Sequence, residues 1–328
     1  KQAGIDPAKL PIPPELPDCE EVRLDLLNDY GGNNRMDREA VAALAVLEAS
    51  GELERTLIVY CSDNGWQMPR GLGNCYDQGS RVPLAIRWGQ QAKTGLKVDA
   101  FVNLGDLAPT FLEAGGVKPP AVMTGRSLWN VLQSDRQGQV DPTRTWVVAG
   151  RERHVEIARP DYSPYPQRAL RTQDHVLIVN FKPDRWPLGN PYRLDGTDEP
   201  TFAELAQATF VTLPDDDAGP TKAWFVGARK SPEWSALFDK FYGRRPMFEL
   251  YDLKADPHEM NNVAESPAYA AVRKEMTERL FTILRETGDP RMLEDGKYFE
   301  TPPLAGPLPN QGQKRLPGGQ AAKKAKKK

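Results

Sequence analysis

Leu57-Ile58-Val59-Tyr60-Cys61-Ser62-Asp63-Asn64-Gly65 is the stretch that decides the fold. Its five apolar residues predict a buried parallel strand, because a strand covered on both faces reads as a continuous hydrophobic run. The run ends abruptly in a hydroxyl, a carboxylate, an amide and a glycine. In open α/β sheets ligands gather outside the carboxyl ends of strands, so Asp63 and Asn64 stand where a cation or an anionic substrate can be met.

Upstream, Pro11, Pro13, Pro14 and Pro17 give an extended entry, and Glu20 to Tyr30 reads as a helix that offers Val22, Leu26 and Leu27 for burial. Gly31, Gly32, Asn33 and Asn34 predict a break by propensity. Asp37 then caps a second helix through about Ala49, with Val41, Leu44 and Leu47 on its face and Gly51 just past its end. Downstream, Val82, Leu84 and Ile86 predict a second strand, and Phe101 to Leu112 a short strand, an Asp106 cap and a helix containing Pro109. Helices alternating with apolar strands indicate a doubly wound, mostly parallel sheet.

Beyond about residue 140 the rhythm changes. Trp146 to Ala149, Arg168 to Arg171, Val176 to Phe181 and Phe248 to Tyr251 read as short strands of a smaller antiparallel sheet, with Thr172, Gln173 and Asp174 as a hairpin link. Ser266-Pro267 opens a helix that places Tyr269, Val272, Met276, Leu280 and Ile283 on one face and has Gly288 beyond its end. That helix is expected to cover one face of the sheet. Residues 302–328 combine Pro, Gly and Gln with a closing lysine cluster, the composition of a disordered basic tail. The expected organisation is therefore an α/β part over residues 1–140, an α+β subdomain over 141–300 and a tail over 301–328.

A chain of 328 residues with 39% hydrophobic content can bury a full core. Its 43 basic and 45 acidic residues nearly cancel, so no global field points to nucleic acid or a membrane surface. No apolar stretch approaches the roughly 20 residues of a spanning helix. Cys19, Cys61 and Cys75 form no Cys-x-x-Cys pair and support neither a zinc knuckle nor a disulfide framework. Cys61 is expected to be a small buried hydrophobe. The first residues lack a secretory pattern and a starting Met, which reads as the interior of a longer protein.

Asp63 and Asn64 are hard oxygen donors of the kind calcium and magnesium prefer. Taken alone, Asp-Asn-Gly also reads as a tight turn, and two ligands cannot complete a site that needs about six oxygens. Arg70, in the loop Pro69 to Gly73, is a candidate clamp for an anion held at Asp63, or else a solvated surface arginine. Arg81 is expected to tie the second strand to the sheet through an ion pair. His154, flanked by Arg151 and Arg153, suits an acidic sugar or is satisfied by Glu152 or Glu156. His175, placed in the hairpin link, and His258, in a turn, read as structural or solvated. Arg168 and Arg171 either border a pocket or pair with carboxylates.

Ser62-Asp63-Asn64-Gly65 after an apolar strand, followed by Tyr76 to Leu84, resembles the sulfatases of the alkaline phosphatase superfamily. The segments Asn103 to Gly115, Met123 to Leu128 and Glu249 to Ala264 match in the same order. Gly150 to His154 and Tyr165 to Arg171 are similar to the branch containing the heparan N-sulfatases. The resemblance runs from Pro11 to Arg291 and implies an alkaline-phosphatase-like fold, incomplete here. It also implies hydrolysis of a sulfate ester or sulfamate on a sulfated saccharide, an exported or lysosomal location, and Ca2+, in preference to Mg2+, held in part by Asp63 and Asn64.

The family's nucleophile is a formylglycine made from Cys/Ser-x-Pro-x-Arg, and no such motif occurs in this sequence. The resemblance implies that this nucleophile, together with further metal and leaving-group residues, lies upstream. Related N-sulfatases place a basic residue where this chain has Leu72, so assigning the clamp to Arg70 requires a shifted loop. A non-catalytic sulfated-glycan-binding protein, an inactive fragment, and a phosphodiesterase of the same superfamily are the rival readings.

Overall fold

The computed structural model describes residues 5–159 and 162–301, so the expected basic tail lies outside the described residues, apart from residue 301. Helix α1 runs unbroken over Glu20–Ala49. The predicted break at Gly31 to Asn34 does not occur. A glycine costs a helix interior about 1 kcal/mol relative to alanine, and without a proline or a left-handed residue that cost weakens a helix without ending it. Neither Gly31 nor Gly32 takes a positive φ, whereas Gly51 does, at 73°, just beyond the last turn. Asp37 is consequently a mid-helix residue and caps nothing. The first half of α1 buries Val22 and Leu26, while Met36, Val41 and Val46 in the second half are exposed.

Strand β1, Ile58–Cys61, pairs with β2, Leu84–Arg87, in an antiparallel register that sets Ile58 opposite Arg87 and Cys61 opposite Leu84. The expected orientation was parallel and the expected environment buried. Instead Tyr60 is exposed and Cys61 only half-buried. An apolar run records that a strand is suited to burial; it records neither the direction of the partner nor whether the partner covers both faces. Among the described residues the only parallel pairing is an isolated bridge between Val98 and Gly138.

Short helix α2, Asp77–Ser80, lies between these strands in sequence, and α3, Leu107–Ala114, and α4, Trp129–Leu132, follow them. No strand forms at Phe101 to Asn103. Asp106 does not cap α3 by its side chain: Asn103 caps the preceding 3-10 turn in a reciprocal box with Asp106. The Asp106 carboxylate also accepts from Arg144 Nη1 at 2.7 Å and from the Arg126 amide at 2.7 Å. That buried pair fastens α3 to the start of the second sheet.

The second sheet holds β3, Trp146–Arg151, β4, Gln167–Thr172, β5, His175–Asn180, and β6, Phe248–Asp252, in that order, all antiparallel. Gln173 and Asp174 alone link β4 to β5, so His175 is the first residue of a strand, opposite Asp252, and not part of the link. Side chains alternate between the two faces with the period of two that a strand imposes. Leu170, Leu177, Val179 and Leu250 point to one face, where Met276, Leu280 and Leu284 of the long helix Ala270–Glu286 cover them. Ala169, Val176, Ile178 and Tyr251 point to the other, against Cys75 and Tyr76.

Three further helices join the chain between β5 and β6: α5, Phe202–Gln207, α6, Pro220–Ala228, and α7, Ser235–Tyr242. Phe225, Phe241 and Tyr242 from this group form a core with Leu16, Val22 and Leu26, so the first segment of the chain is packed by residues two hundred positions later. The helix Ala270–Glu286 is α8, and α9, Lys297–Glu300, closes the described chain. Gly288, at φ 69°, terminates α8 as expected.

Leu280 of α8 is fully buried against the sheet. Leu280→Ala should remove about 2–5 kcal/mol of stability through the cavity it leaves. Urea denaturation measures it.

Candidate functional site

Beyond Cys61 the backbone turns sharply. Ser62 Oγ donates to the Asn64 carbonyl at 2.7 Å, and Asn64 Nδ2 donates to the Gly65 carbonyl at 2.7 Å. With its nitrogen engaged, the Asn64 amide has Oδ1 left over. Among the described residues, neither that oxygen nor the exposed Asp63 carboxylate takes part in a hydrogen bond or ion pair. Gly65 sets the turn down on α2: its amide donates to the Gly79 carbonyl at 3.1 Å, and a Cβ at Gly65 would stand 2.0 Å from the Gln78 carbonyl oxygen. Only glycine allows this approach.

Asp63 and Asn64 open onto a cavity of about 1640 Å3 that Asp77, Arg81, Lys93 and Arg171 share with apolar residues such as Leu84, Val98, Phe101 and Val147. Asp77 receives a two-pronged ion pair from Arg171, at 2.9 and 3.1 Å. Arg81 reaches the same carboxylate only at 4.0 Å with 80% of its side chain exposed, so it does not tie β2 to its sheet; β2 is held to β1 by backbone pairing, and Arg171 fastens α2 to β4. Arg168 pairs with Asp289 at 2.6 Å and Glu152 at 2.9 Å. Both arginines thus pair with carboxylates, and Arg171 also lines the cavity.

Arg70 departs from its expected role. It is 3% exposed, with φ at 67°, and its guanidinium donates to the carbonyls of Lys240 at 3.3 Å and Glu259 at 2.5 Å while stacking over the Tyr76 ring at 3.7 Å. A guanidinium so occupied holds the loop to the protein and is not free to clamp an anion at Asp63. It is not among the residues lining the cavity. Proximity in sequence suggested a clamp; the left-handed backbone at Arg70 turns the side chain inward.

His154 is likewise absent from the cavity wall. Its ring lies against Gly73, and Nδ1 is 3.2 Å from the Asp215 carbonyl, with 26% of the side chain exposed. Of the flanking arginines, Arg151 is buried and donates to the carbonyls of Gly73 and Pro187, and Arg153 donates to that of Tyr162. These two cations therefore fix backbone and do not form the acid-binding neighbourhood the sequence suggested. His258 contacts Glu15 at 2.8 Å and His175 lies edge-on to Tyr269, both structural placements.

The residue that sequence reasoning missed is Glu259, 2% exposed at φ 56° in the turn after β6. Its Oε2 accepts from the Asp77 amide at 2.8 Å, and its Oε1 has no partner among the described residues. It falls within the segment Glu249 to Ala264 that carries the family resemblance, the one signal that could have drawn attention to it.

Among the described residues no group of three or more His, Cys, Asp and Glu gathers as a metal cage. The donors at hand, one free carboxylate and one free amide oxygen, are hard and suit an alkaline-earth ion, but they are a share of a coordination sphere and not the whole.

Burial, with the Asp77 charge beside it, pushes the Glu259 carboxyl from about 4.5 up to about 8. Its folded form therefore keeps a proton that the unfolded chain gives up. Stability from this group is fully present below about pH 4.5 and is lost as pH rises toward 8. Chemical denaturation across that window should show the wild type losing stability relative to Glu259→Gln, which cannot ionise.

Residues 70–149 and 234–286 match the family model described as N-sulphoglucosamine sulphohydrolase, C-terminal. The chain is 29% identical over 306 residues to N-sulphoglucosamine sulphohydrolase of Homo sapiens, spanning 88% of this chain and 53% of that protein. It is 27% identical over 294 residues to an ulvan-active sulfatase of Formosa agariphila, spanning 89% of this chain and 43% of that one. A solved structure in complex with its substrate D-glucosamine-2-N,6-O-disulfate superposes with a TM-score of 0.51 at 25% identity, over 82% of this chain and 41% of that one. The chain thus spans about half the length of the curated relatives it matches.

Proposed function

Because this chain is homologous to the C-terminal portion of the sulfatases, with their alkaline-phosphatase-like fold, we propose that it forms one wall of a hydrolase site acting on a sulfate ester or N-sulfate of a sulfated saccharide. The observation that carries the proposal is the pair of unengaged oxygens at Asp63 and Asn64, side by side at the end of β1 and facing a large cavity. Asp63 supplies a negative ligand and Asn64 a neutral one for Ca2+, for which hard oxygens are suited in preference to softer metals. When bound there, the ion supplies the charge that neutralises sulfate oxygens and supports a formylglycine nucleophile.

That nucleophile comes from polypeptide outside this sequence, since no Cys/Ser-x-Pro-x-Arg occurs in it. In place of Arg70, the exposed Arg81 and Lys93 on the cavity wall are the cations placed to meet an anionic sugar. His154, against Gly73 in the Gly71 to Cys75 loop, is a substrate-side residue by the family likeness. Residues 1–140 contribute the catalytic α/β part and 141–300 the supporting subdomain. An exported or lysosomal compartment, where sulfated saccharides are met, fits this activity, and no helix among the described residues is long and apolar enough to cross a membrane.

Sulfate release from D-glucosamine-2-N,6-O-disulfate by the intact native protein tests the reading. Chelation and Asp63→Ala should each lower the rate by about 100-fold or more. Wild-type turnover by Asp63→Ala in the presence of chelator would overturn it.

A further inference from the structure

Helix α2 begins without a side-chain cap of its own: Tyr76 occupies the capping position and offers no oxygen to the first amides. The missing acceptor comes from Glu259, 182 residues further along the chain, whose Oε2 takes the Asp77 amide at 2.8 Å. The same residue's carbonyl takes Arg70 Nη2 at 2.5 Å, so one glutamate holds the loop 70–77 at both ends. It does so from a left-handed backbone, φ 56°, which costs a residue with a Cβ and persists only where surrounding contacts enforce it.

What α2 carries is the seat of the Asp63–Asn64 turn. The Gly79 carbonyl accepts the Gly65 amide, a Cβ at Gly65 would collide with the Gln78 carbonyl, and one at Gly79 would stand 2.3 Å from the Gly71 carbonyl. Backbone packed on backbone at these distances has no side chain to absorb a displacement. A movement of α2 therefore passes to Gly65 and its neighbour Asn64.

We propose that Glu259 is a positioning residue for the Asp63–Asn64 turn, acting through the Asp77 amide and α2. The inference rests on the cation reading above and deepens it, because the turn it holds is the one that carries the two ligands. Glu259 touches neither ligand. Its buried carboxyl needs only to accept a hydrogen bond, which the amide of a glutamine does equally well; alanine cannot. The elevated affinity of that carboxyl for a proton agrees with a neutral acceptor.

Hydrogen exchange on the intact native protein, read by mass spectrometry, separates this role from general support of the fold. Glu259→Ala should speed exchange in residues 62–66 by about 10-fold or more while residues 175–180 of β5 stay within about twofold of wild type. Glu259→Gln should leave both segments protected. Unchanged exchange at 62–66 in the alanine variant would overturn the proposal, as would equal deprotection of β5 or deprotection in the glutamine variant.

A Ca2+ titration of the same samples keeps the two readings apart. Slowing of exchange at 62–66 by Ca2+ in wild type and Glu259→Gln, at concentrations that leave Glu259→Ala unaffected, supports both. If the alanine effect appears and Ca2+ alters no segment in any variant, the mechanical link stands and the cation reading fails.

Discussion

The contact between Gly65 and Gly79, backbone against backbone at a 3.1 Å hydrogen bond, is the constraint on which the cavity depends. It brings the end of β1 onto α2 with no side chain between them, and so sets where Asp63 and Asn64 stand. Around it, charge is arranged to hold backbone in place. Arg171 grips Asp77, Arg70 grips the carbonyls of Lys240 and Glu259, and Arg151 grips that of Gly73. These three cations are structural, and Arg81 and Lys93 are exposed on the cavity wall.

The antiparallel sheet is the rigid backing of this arrangement. One face is sealed by α8 with aliphatic side chains; the other receives Cys75 and Tyr76, the residues just ahead of α2. Under Tyr76 lies a buried carboxylate, Glu249, which accepts from Tyr76, Tyr251 and Asn180, each at 2.7 Å. A buried charge satisfied three times over fixes its donors more firmly than apolar packing alone would. The loop that supports the candidate site is thereby pinned to the sheet on one side and to Glu259 on the other.

The parts of this design written locally were legible in the sequence. The strands Trp146–Arg151 and Phe248–Asp252 and the helix under Met276 and Leu280 follow from periodicity, because one face of each is buried by a neighbour close in kind. The end of β1 just ahead of Asp63 and Asn64 was legible as well, since an abrupt end to an apolar run marks a strand terminus. The direction of β1, the continuity of α1 and the inward turn of Arg70 were not. Each is settled by a partner distant in sequence or by a single backbone angle, and residue type records neither. Helices α5 to α7 are short and bury aromatic residues against the chain's first segment, so their pattern carries little periodicity. Glu259 escaped notice for the same reason: its partner is an amide, which every sequence position but proline possesses.

Paramagnetic broadening by Mn2+, a hard-oxygen probe of the same class as Ca2+, examines the central claim at residue level. The account predicts that substoichiometric Mn2+ broadens the amide resonances of Asp63, Asn64 and Gly65 before any others and that excess Ca2+ restores them. Broadening spread over exposed carboxylates elsewhere, with the 63–65 signals sharp, would contradict it.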